Sequence, residues 1–389
     1  MQKIKNLYHL LKAIFWNIWY GFPAKKLVVI GVTGTDGKTT TCTLIYEILK
    51  SAGIKAGMLT TVSARILDKE IDTGLHTTNP DSGLLQKILS DAVKVGVTHM
   101  VLEVTSHGLD QNRVWGCNFK IGVLTNVTHE HLDYHGTMEN YRETKLKLFK
   151  KVKFAVLNGE DPSFEYFKHQ ILSTNIQIIK YSKTNAENIS PALYGDYNLY
   201  NIGAAEAVCK ALDIRQQVIE KIVRGFRGVP GRREEIRAGQ KFRVVVDFAH
   251  TPNALEQVLI SLRDQSKSKT KIIVVFGCTG ERDKDKRPMM GEIAVRLADV
   301  VIVTSDDTRS EDQDEIYKQI VSGIKDKNIF KENDRRKAIE IAVKMAKEGD
   351  IILLAGKGHE KSILIGKEES PWSDVGEAKR AIQTLILKK

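Results

Sequence analysis

From residue 27 onward, short runs of aliphatic and β-branched residues alternate with longer segments in which apolar residues recur every three or four positions. Short apolar runs are typical of buried strands, and the three-to-four spacing is typical of helices with one buried face. Strands that alternate with helices along a chain form parallel sheets covered by helices. The pattern therefore predicts an α/β fold.

The alternation has two parts, separated by the turn-forming residues 228–231, Gly-Val-Pro-Gly. The first part contains six predicted strands: Leu27–Thr33, Met58–Val62, His99–Val104, Ile121–Asn126, Phe154–Asn158 and Ile176–Tyr181. The second contains four: Arg243–Phe248, Lys271–Phe276, Val300–Thr304 and Ile351–Ala355. We therefore predict a domain over residues 27–230, a smaller domain over 231–389 and a separate N-terminal segment over 1–26. Ligands bind beyond the carboxyl ends of strands in such sheets, so functional residues should follow the strands.

The N-terminal segment, residues 1–26, predicts a basic amphipathic helix. It contains no run of about 18 apolar residues and no small-residue cleavage site, so neither a membrane-spanning helix nor a secretory signal is expected. Two interpretations remain open: the apolar stripe packs against the body of the protein, or it lies in a membrane interface. The stripe follows helical spacing: Ile4, Leu7, Tyr8, Leu11, Ile14, Phe15, Ile18, Trp19 and Phe22.

Composition and charge narrow the class of protein. Apolar residues make up 42% and charged residues 28% of the 389 positions, as in globular enzymes. The net charge of +11 favours anionic ligands or an anionic membrane surface, and no nucleic-acid-binding motif accompanies it, so we expect no nucleic acid partner. Four scattered cysteines without a Cys-x-x-Cys pair predict reduced thiols and a cytoplasmic protein, at the inner face of the membrane if the helix attaches there. We expect a monomer.

The most informative motif follows the first predicted strand. The run from Gly31 to Thr40 reads GVTGTDGKTT, a glycine-rich turn that ends in Gly-Lys-Thr and opens a helix. In such loops backbone N–H groups approach phosphates, the lysine supplies a positive charge, and the next hydroxyl binds Mg²⁺. Five residues separate Gly31 from Gly37, one more than in the usual P-loop, so the loop is a variant. It predicts ATP binding by Gly34, Thr35, Asp36, Gly37, Lys38, Thr39 and Thr40.

Two further clusters lie at predicted strand ends. Glu103 directly follows apolar strand residues, where a carboxylate near a P-loop can hold Mg²⁺ against the phosphates. The run 126–136, NVTHEHLDYHG, places three histidines and two acids after another strand. Taken alone, a cluster of this kind is a hydrogen-bonded polar loop as often as it is a functional site. Together with a P-loop and Glu103 it favours a second metal contact.

Four motifs in this order resemble the Mur ligase family: GTDGKT at 34–39, EVTSHG at 103–108, EHLDYHG at 130–136 and YRETK at 141–145. Five more resemble the MurE type within that family: HTT at 76–78, SHGLDQNR at 106–113, DFAHTP at 247–252, FGCTGERDK at 276–284 and GKGHE at 356–360. The resemblance runs from about Leu27 to the C-terminus. It implies a P-loop ATPase domain with a parallel sheet, followed by a smaller Rossmann-like domain.

The resemblance implies an ATP-dependent ligase of peptidoglycan synthesis that adds the third amino acid to a muramoyl-dipeptide precursor. ATP would convert the terminal carboxylate into an acyl phosphate, which the amine of the incoming amino acid attacks. By resemblance, Lys38 and Thr39 hold the phosphates and Mg²⁺, with Glu103 as a further metal ligand. His131 would hold a second Mg²⁺, and Lys145 would carry a carbamate, as N6-carboxylysine, that also binds metal.

The family's substrate contacts map onto further residues. Its selector motif reads Asp-Asn-Pro-Arg for meso-diaminopimelate, and this chain reads Asp-Asp-Thr-Arg at 306–309. Arg309 suits the distal carboxylate of diaminopimelate, which we favour, whereas Asp307 suits either its distal ammonium or lysine. By resemblance the muramoyl peptide contacts Thr77, Thr78, Ser106 and Arg113, the nucleotide contacts His250 and Asn253, and the amino acid contacts Arg282, Asp306, Asp307, Arg309, Gly356 and Glu360.

Full-length members of the MurE type begin with a domain that grips uridine diphosphate, and we expect this chain to lack it. One interpretation is an acceptor that is lipid-linked or otherwise altered; the other is a minimal ligase that binds UDP weakly or with a partner protein. Two other classes stay open, a non-catalytic ATP-binding regulatory module and a ligase similar to folylpolyglutamate synthetase. The presence of Lys38, Glu103, His131, Lys145 and Arg282 together favours an active enzyme.

Overall fold

The computed structural model describes residues 2–71, 78–172, 174–184, 189–322, 324 and 329–387. The chain divides into two compact units. Unit 1 contains the chain up to Thr128 together with His135–Arg227, and unit 2 contains His129–Tyr134 and Gly228–Lys389. Each unit has its own largely parallel sheet with helices packed on it, which confirms the predicted α/β fold class.

The sheet of unit 1 places three strand ends side by side. Within the described residues its strands are β1 (Val28–Thr33), β2 (Ala56–Leu59), β3 (Ala64–Ile66), β4 (Lys69–Ile71), β5 (His99–Glu103), β6 (Phe119–Leu124), β7 (Phe154–Asn158) and β8 (Gln177–Tyr181). Their order is β4-β3-β2-β5-β1-β6-β7-β8, with β1 parallel to both of its neighbours. Because β1 lies between β5 and β6, the loops that follow these three strands share one edge of the sheet.

Helices pack on this sheet and bury its apolar side chains, such as those of Val29, Met100 and Leu102. In chain order, the first helices of the described residues are α1 (Gln2–Trp19), α2 (Lys38–Ser51), α3 (Ser82–Lys94), α4 (Ser106–Asp110), α5 (Leu132–His135), α6 (Met138–Leu146), α7 (Phe164–Ile171), α8 (Asp196–Ala211) and α9 (Gln216–Gly225). Short 3-10 turns lie at Pro23–Lys26, Lys147–Phe149 and Pro191–Leu193. The first three residues of helix α5 lie within the 129–134 segment, so only its last residue, His135, belongs to unit 1.

Helix α1 packs on unit 1 with the face opposite its apolar stripe. Ala13 and Asn17 are fully buried, and Asn17 Nδ2 donates a hydrogen bond to the backbone oxygen of Trp115 at 3.0 Å. The interpretation that the apolar stripe packs against the body of the protein is therefore wrong for most of the stripe. Its exposed members are Ile4, Leu7, Tyr8, Leu11, Phe15, Ile18 and Trp19. In the part of the chain that the structure describes, every helix is too short or too polar to cross a bilayer.

Unit 2 contains a smaller sheet and a two-stranded ribbon. The strands of the sheet are β9 (Glu234–Ile236), β10 (Arg243–Asp247), β11 (Ile272–Phe276), β12 (Val300–Val303), β13 (Ile329–Lys331) and β14 (Ile351–Ala355). Their order is β13-β12-β11-β14-β10-β9, and only β9 is antiparallel to its neighbour among these described strands. The ribbon consists of β15 (Ser362–Ile365) and β16 (Glu368–Pro371). The helices are α10 (Pro252–Asp264), α11 (Lys286–Leu297), α12 (Gln313–Ile320), α13 (Arg335–Met345) and α14 (Asp374–Leu387).

The predicted strands all overlap observed strands, but one boundary was clearly wrong. The strand predicted at 58–62 is observed at Ala56–Leu59, because Thr60 N donates to Ser63 O at 3.0 Å and the chain turns into the antiparallel β3. The strands that the pattern did not predict are each three or four residues long, which is too short for a periodic signal: β3, β4, β9, β13, β15 and β16.

Candidate active site

The loop between β1 and α2 depends on two glycines. Gly34 has φ 151° and Gly37 has φ 82°, both in the region that favours glycine. A Cβ atom at Gly34 would lie 1.8 Å from Thr125 Oγ1, and a Cβ atom at Gly37 would lie 2.2 Å from Asn201 Oδ1. Backbone conformation and space therefore both restrict these positions to glycine.

The same loop is held from the neighbouring strand end by Asn126. Its Oδ1 accepts from Asp36 N at 2.9 Å, and its Nδ2 donates to Asp36 O at 3.1 Å. The backbone oxygen of Asn126 also accepts from Thr35 N at 2.9 Å. One amide side chain thus binds both backbone polar groups of Asp36, a role that the sequence did not reveal although Asn126 begins the predicted polar cluster.

The loop leads directly into the positive end of a helix. Helix α2 begins at Lys38 after Gly37 as its N-cap, so its first backbone N–H groups have no helical partners and favour an anion. Lys38 Nζ donates to Thr35 O at 2.6 Å, which keeps the ammonium over the loop. Thr39 is buried and Thr40 is partly exposed. The predicted ATP-binding residues 34–40 therefore form one continuous turn and helix start that can bind phosphate.

Glu103 lies beside the start of α2. Its carboxylate is buried and accepts three hydrogen bonds: from Thr39 Oγ1 at 2.9 Å, from Thr61 N at 3.0 Å and from Thr61 Oγ1 at 3.0 Å. A hydroxyl and a carboxylate next to a phosphate loop are the oxygen ligands that Mg²⁺ prefers. The donor set of Thr39 and Glu103 therefore fits the magnesium ion that the family implies. Thr61 was not predicted, since a lone threonine after a strand carries no signal.

Lys145 is buried at the phosphate loop. Only 1% of its surface is exposed, its Nζ donates to Gly34 O at 2.8 Å, and the ammonium lies 4.3 Å from the centre of the Tyr141 ring. Helix α6 delivers it there, with Thr137 as its N-cap. On sequence pattern alone a helical lysine is expected to be solvated, so this placement depends on the tertiary structure.

Three of the four residues predicted for the muramoyl peptide are described, and they also lie in unit 1. Thr78 Oγ1 is 2.7 Å from Thr61 Oγ1, and Arg113 Nη1 donates to Asn79 O at 2.9 Å. Ser106 begins α4, and its Oγ lies 2.9 Å from His135 Nε2. Thr77 lies outside the described residues.

His135 was part of the predicted histidine cluster, and its environment sets its charge. Burial, followed by the nearby His107 and Lys145, lowers the pKa of His135 to about 4. The ring is therefore neutral at neutral pH, and it is buried against Ser106 as a hydrogen-bonding group.

His131 belongs by its contacts to unit 2, with the rest of segment 129–134. It has φ 58°, an uncommon backbone conformation for this residue type, and its Nδ1 lies 3.6 Å from Glu130 Oε1. Glu130 Oε1 also pairs with the buried Lys286 Nζ at 3.3 Å. Lys286 was not predicted. A metal contact by His131 remains a prediction.

The residues predicted to face the nucleotide in unit 2 lie at the start of α10. Thr251 is the N-cap of this helix, and Asn253 lies in its first turn. His250 directly precedes the cap, with its Nδ1 2.9 Å from Phe248 O and its ring 4.4 Å from the Phe248 ring. The Arg232 guanidinium also lies 4.4 Å from the centre of the Phe248 ring. Phe248 therefore organises this corner, a role that the sequence did not reveal.

A buried lysine gathers the acids predicted for amino-acid binding. Lys357 Nζ lies 2.7 Å from Asp307 Oδ1, 2.5 Å from Glu360 Oε2 and 4.0 Å from Asp306 Oδ1. Burial raises the pKa of Glu360 to about 7, although the charge of Lys357 opposes the rise. Burial alone would raise the pKa of Asp306 as well, but Lys357 and Arg335 outweigh it and lower that pKa. Lys357 lies inside the predicted GKGHE motif without having been singled out.

The two departures from the family's selector motif hold the ribbon. Asp307 Oδ1 accepts from Lys357 Nζ and also from Leu364 N at 3.0 Å, and Thr308 Oγ1 accepts from Gly366 N at 3.2 Å. One carboxylate oxygen of Asp307 therefore already accepts hydrogen bonds from Lys357 and from the Leu364 backbone. That use weakens the expectation that Asp307 selects a substrate ammonium.

The remaining predicted residues lie around this cluster. Arg309 has φ 53° and forms a β-bridge with Ile365, and Gly356 has φ 107° with Asp306 Oδ2 only 2.8 Å from where a Cβ would be. Partial burial and the nearby charge of Arg309 lower the pKa of Arg282, so the two guanidinium groups share one region of unit 2. Two cations in one region suit a ligand with more than one carboxylate.

Comparison with known proteins agrees with these features. The chain matches the Mur ligase middle domain over residues 32–192 and the Mur ligase glutamate ligase domain over residues 231–358. It is 39% identical over 408 residues to the UDP-N-acetylmuramoyl-L-alanyl-D-glutamate--2,6-diaminopimelate ligase of Geobacillus kaustophilus (strain HTA426), covering 95% of this chain and 82% of that one. The ligase of the same name from Fusobacterium nucleatum subsp. nucleatum is 37% identical over 403 residues, covering 97% and 82%.

The chain therefore belongs to the Mur ligase family, as the motifs predicted, and it is an ATP-dependent ligase that forms carbon–nitrogen bonds. A solved structure of a UDP-N-acetylmuramoyl-L-alanyl-D-glutamate--2,6-diaminopimelate ligase has a TM-score of 0.61 and 33% identity to this chain. The match covers 92% of this chain and 79% of that chain. The folylpolyglutamate synthase of Mycobacterium tuberculosis, solved with ADP and AMPPCP, has a TM-score of 0.76 at 16% identity, covering 97% and 95%. At that identity the second similarity shows a shared fold alone.

Proposed function

We propose that this ligase joins 2,6-diaminopimelate to UDP-N-acetylmuramoyl-L-alanyl-D-glutamate, a step of peptidoglycan synthesis. The observation that carries the proposal is the phosphate loop of unit 1, with Lys38 at the helix start and the Thr39–Glu103 pair beside it. The names of the relatives, at 37–39% identity over most of the chain, support this substrate pair.

The proposed reaction has two steps. A carboxylate oxygen of the acceptor attacks the γ-phosphorus of ATP, and the bond to ADP breaks, which gives an acyl phosphate. The amine of the amino acid then attacks the acyl carbon, loses a proton and expels inorganic phosphate, which leaves the amide. The backbone N–H groups at the start of α2 and the Lys38 ammonium would bind and orient the phosphates, because their positive charge opposes the charge that accumulates there.

Magnesium would be held by Thr39 and Glu103, and when bound it would neutralise phosphate charge. We extend the proposal to Lys145 as N6-carboxylysine and to His131 as further metal ligands, following the family motifs that they match. The burial of Lys145 at the loop supports the first assignment, since a carbamate there would place two oxygen ligands where the chain now has an ammonium. Intact-mass and peptide mass measurements at neutral pH test this modification directly, with Lys145→Arg as the unmodifiable control.

The acceptor would be bound by Thr78, Ser106 and Arg113 of unit 1, together with Thr77. The nucleotide would contact His250 and Asn253, and the amino acid would be bound in unit 2. We propose diaminopimelate rather than lysine, because Arg282 and Arg309 place two guanidinium groups in one region. Asp306, Asp307, Gly356 and Glu360 would complete that pocket, with Lys357 holding the acids in place.

The decisive experiment measures ligation product by mass spectrometry and phosphate release in the same samples. The purified chain is given ATP, Mg²⁺ and UDP-N-acetylmuramoyl-L-alanyl-D-glutamate with meso-diaminopimelate, L-lysine or L-glutamate, and separately a folate acceptor with L-glutamate. We expect product with diaminopimelate only, and none from the Lys38→Ala variant. Product with the folate acceptor, or equal use of lysine, would overturn the substrate assignment. Phosphate release without any product would instead indicate a non-ligating ATPase.

A further inference from the structure

Helix α1 presents a continuous apolar face to solvent. Seven large apolar side chains, each between 53% and 74% exposed, recur along it at helical spacing: Ile4, Leu7, Tyr8, Leu11, Phe15, Ile18 and Trp19. Eighteen large apolar side chains are exposed among the described residues, so more than a third of them lie on this one helix. An apolar patch of this kind on a folded protein marks an interaction surface.

The opposite face of α1 fixes the helix to unit 1 through polar contacts. Asn6 Nδ2 donates to Asp110 Oδ2 at 2.9 Å, and Lys12 Nζ pairs with Asp81 Oδ2 at 2.9 Å. Trp16 packs so closely on the start of α3 that a Cβ at Gly83 would lie 2.7 Å from its Nε1. Polar and small residues of this amphipathic helix therefore face the protein, together with Trp16. These contacts fix the orientation of α1, so its apolar stripe points to solvent.

The charged side chains of the helix itself and of the turn after it are all positive. The first 35 residues contain five lysines and no acidic residue. Lys5 is exposed on α1, and Lys25 and Lys26 are exposed in the turn that follows it. Lys25 Nζ also lies 4.6 Å from the centre of the Phe22 ring, at the end of the stripe. An apolar stripe edged by lysines, with tyrosine and tryptophan among its members, matches the boundary between acyl chains and anionic headgroups.

We propose that α1 is an interfacial membrane helix whose exposed stripe inserts among the headgroups of an anionic bilayer. Its length and composition suit a helix that lies in the plane of the membrane, and no described helix is fit to span one. A protein partner would need acidic residues of its own opposite these lysines. A second copy of this chain would place the same positive edge against itself, which is unfavourable. An anionic bilayer offers acyl chains for the apolar stripe and negative headgroups for the lysines.

The test uses the full-length chain and sonicated vesicles, without substrates, so its result is independent of the proposed function. Sedimentation compares phosphatidylcholine vesicles with vesicles that contain about 30 mol% phosphatidylglycerol. We expect about tenfold or more tighter partitioning onto the anionic vesicles, weakened by salt, with a blue shift of tryptophan emission. The triple variant Leu7→Ser, Phe15→Ser, Trp19→Ser should lose at least about tenfold in partitioning, and Lys25→Glu with Lys26→Glu should lose the preference for anionic lipid.

The matched control is Leu172→Ser, which removes another exposed leucine of unit 1 and should leave partitioning unchanged. Circular dichroism and ATP binding show that each variant is folded. Equal binding of wild type and triple variant to vesicles would overturn the proposal, as would absence of any binding. Light scattering is run in parallel: a dimer that the triple variant dissociates would assign the stripe to a second copy of the chain instead of a membrane.

Discussion

Thr39 Oγ1 donates a hydrogen bond of 2.9 Å to Glu103 Oε2, although 64 positions separate the two residues in the chain. The contact exists because β1 and β5 are parallel neighbours, with Val32 in register with Glu103. The phosphate loop after β1 and the carboxylate at the end of β5 are thus brought to the same edge of the sheet. Thr39 and Glu103, the two residues expected to bind the magnesium ion at the phosphates, are therefore in direct contact.

Replacing Glu103 by glutamine should remove the negative charge while keeping the size of the side chain. We expect amide formation to fall by about 100-fold or more, because the pocket would lose an anionic magnesium ligand beside the phosphates. Ligation rates measured across a magnesium titration check this, with the exposed Glu139→Gln as the matched control. Near-normal rates in Glu103→Gln would remove Glu103 from the metal site.

Replacing Gly37 by alanine should damage the loop for two separate reasons. The alanine would have to adopt φ 82°, and its Cβ would lie 2.2 Å from Asn201 Oδ1. We therefore expect more than about 2 kcal/mol of lost stability and weak ATP binding. Gly53→Ala is the matched control, since Gly53 has φ 80° with nothing within 4 Å of a Cβ. Only the backbone cost of about 1 kcal/mol should remain there. Denaturant unfolding and ATP titration distinguish the two variants, and equal losses would contradict a steric role of Asn201.

Replacing Lys357 by methionine should leave three carboxyl groups without their shared cation. The ammonium is fully buried within 2.7 Å of both Asp307 and Glu360, so its loss should cost about 3 kcal/mol or more in unfolding free energy. Adding Asp307→Asn and Glu360→Gln should recover part of that loss, because fewer negative charges would remain. Urea unfolding measures both effects, and the exposed Lys361→Met provides the control. A loss no larger than the control's would show that the cluster does not depend on the lysine.

His135 should make the protein sensitive to mild acid. Its pKa in the folded chain is about 4, below the usual 6.5, so the unfolded chain binds more protons between these values. The stabilisation by the neutral ring is complete above about pH 6.5 and is lost as the pH falls towards 4, on the order of 3 kcal/mol in total. Unfolding free energies at several pH values between 4 and 7.5 check this.

The variant His135→Gln should flatten that pH dependence, because glutamine keeps a polar group near Ser106 without titrating. His169→Gln is the control, since the His169 side chain is 70% exposed. An unchanged slope in His135→Gln would mean that other groups cause the acid sensitivity.

Much of unit 1 could be predicted from local sequence. The strand before the phosphate loop, the helix from Lys38 to Ser51 and the carboxylate at Glu103 each follow from a run of neighbouring residues, and the structure has them there. Asn126 shows the limit of this approach. Its sequence position placed it in a polar cluster, but its two hydrogen bonds to Asp36 arise only because β6 lies next to β1.

The sequence by itself determined the alternation of strands and helices, the phosphate loop and the membership of a ligase family, because these depend on residue order and on local backbone preferences. The tertiary structure alone decided that Lys145 and Lys357 are buried and that the apolar stripe of α1 faces solvent. Periodicity shows which side chains share a face of a helix, but it does not show what lies opposite that face. Burial and exposure depend on contacts between residues that are distant in the chain, and those contacts exist only once the sheets have formed.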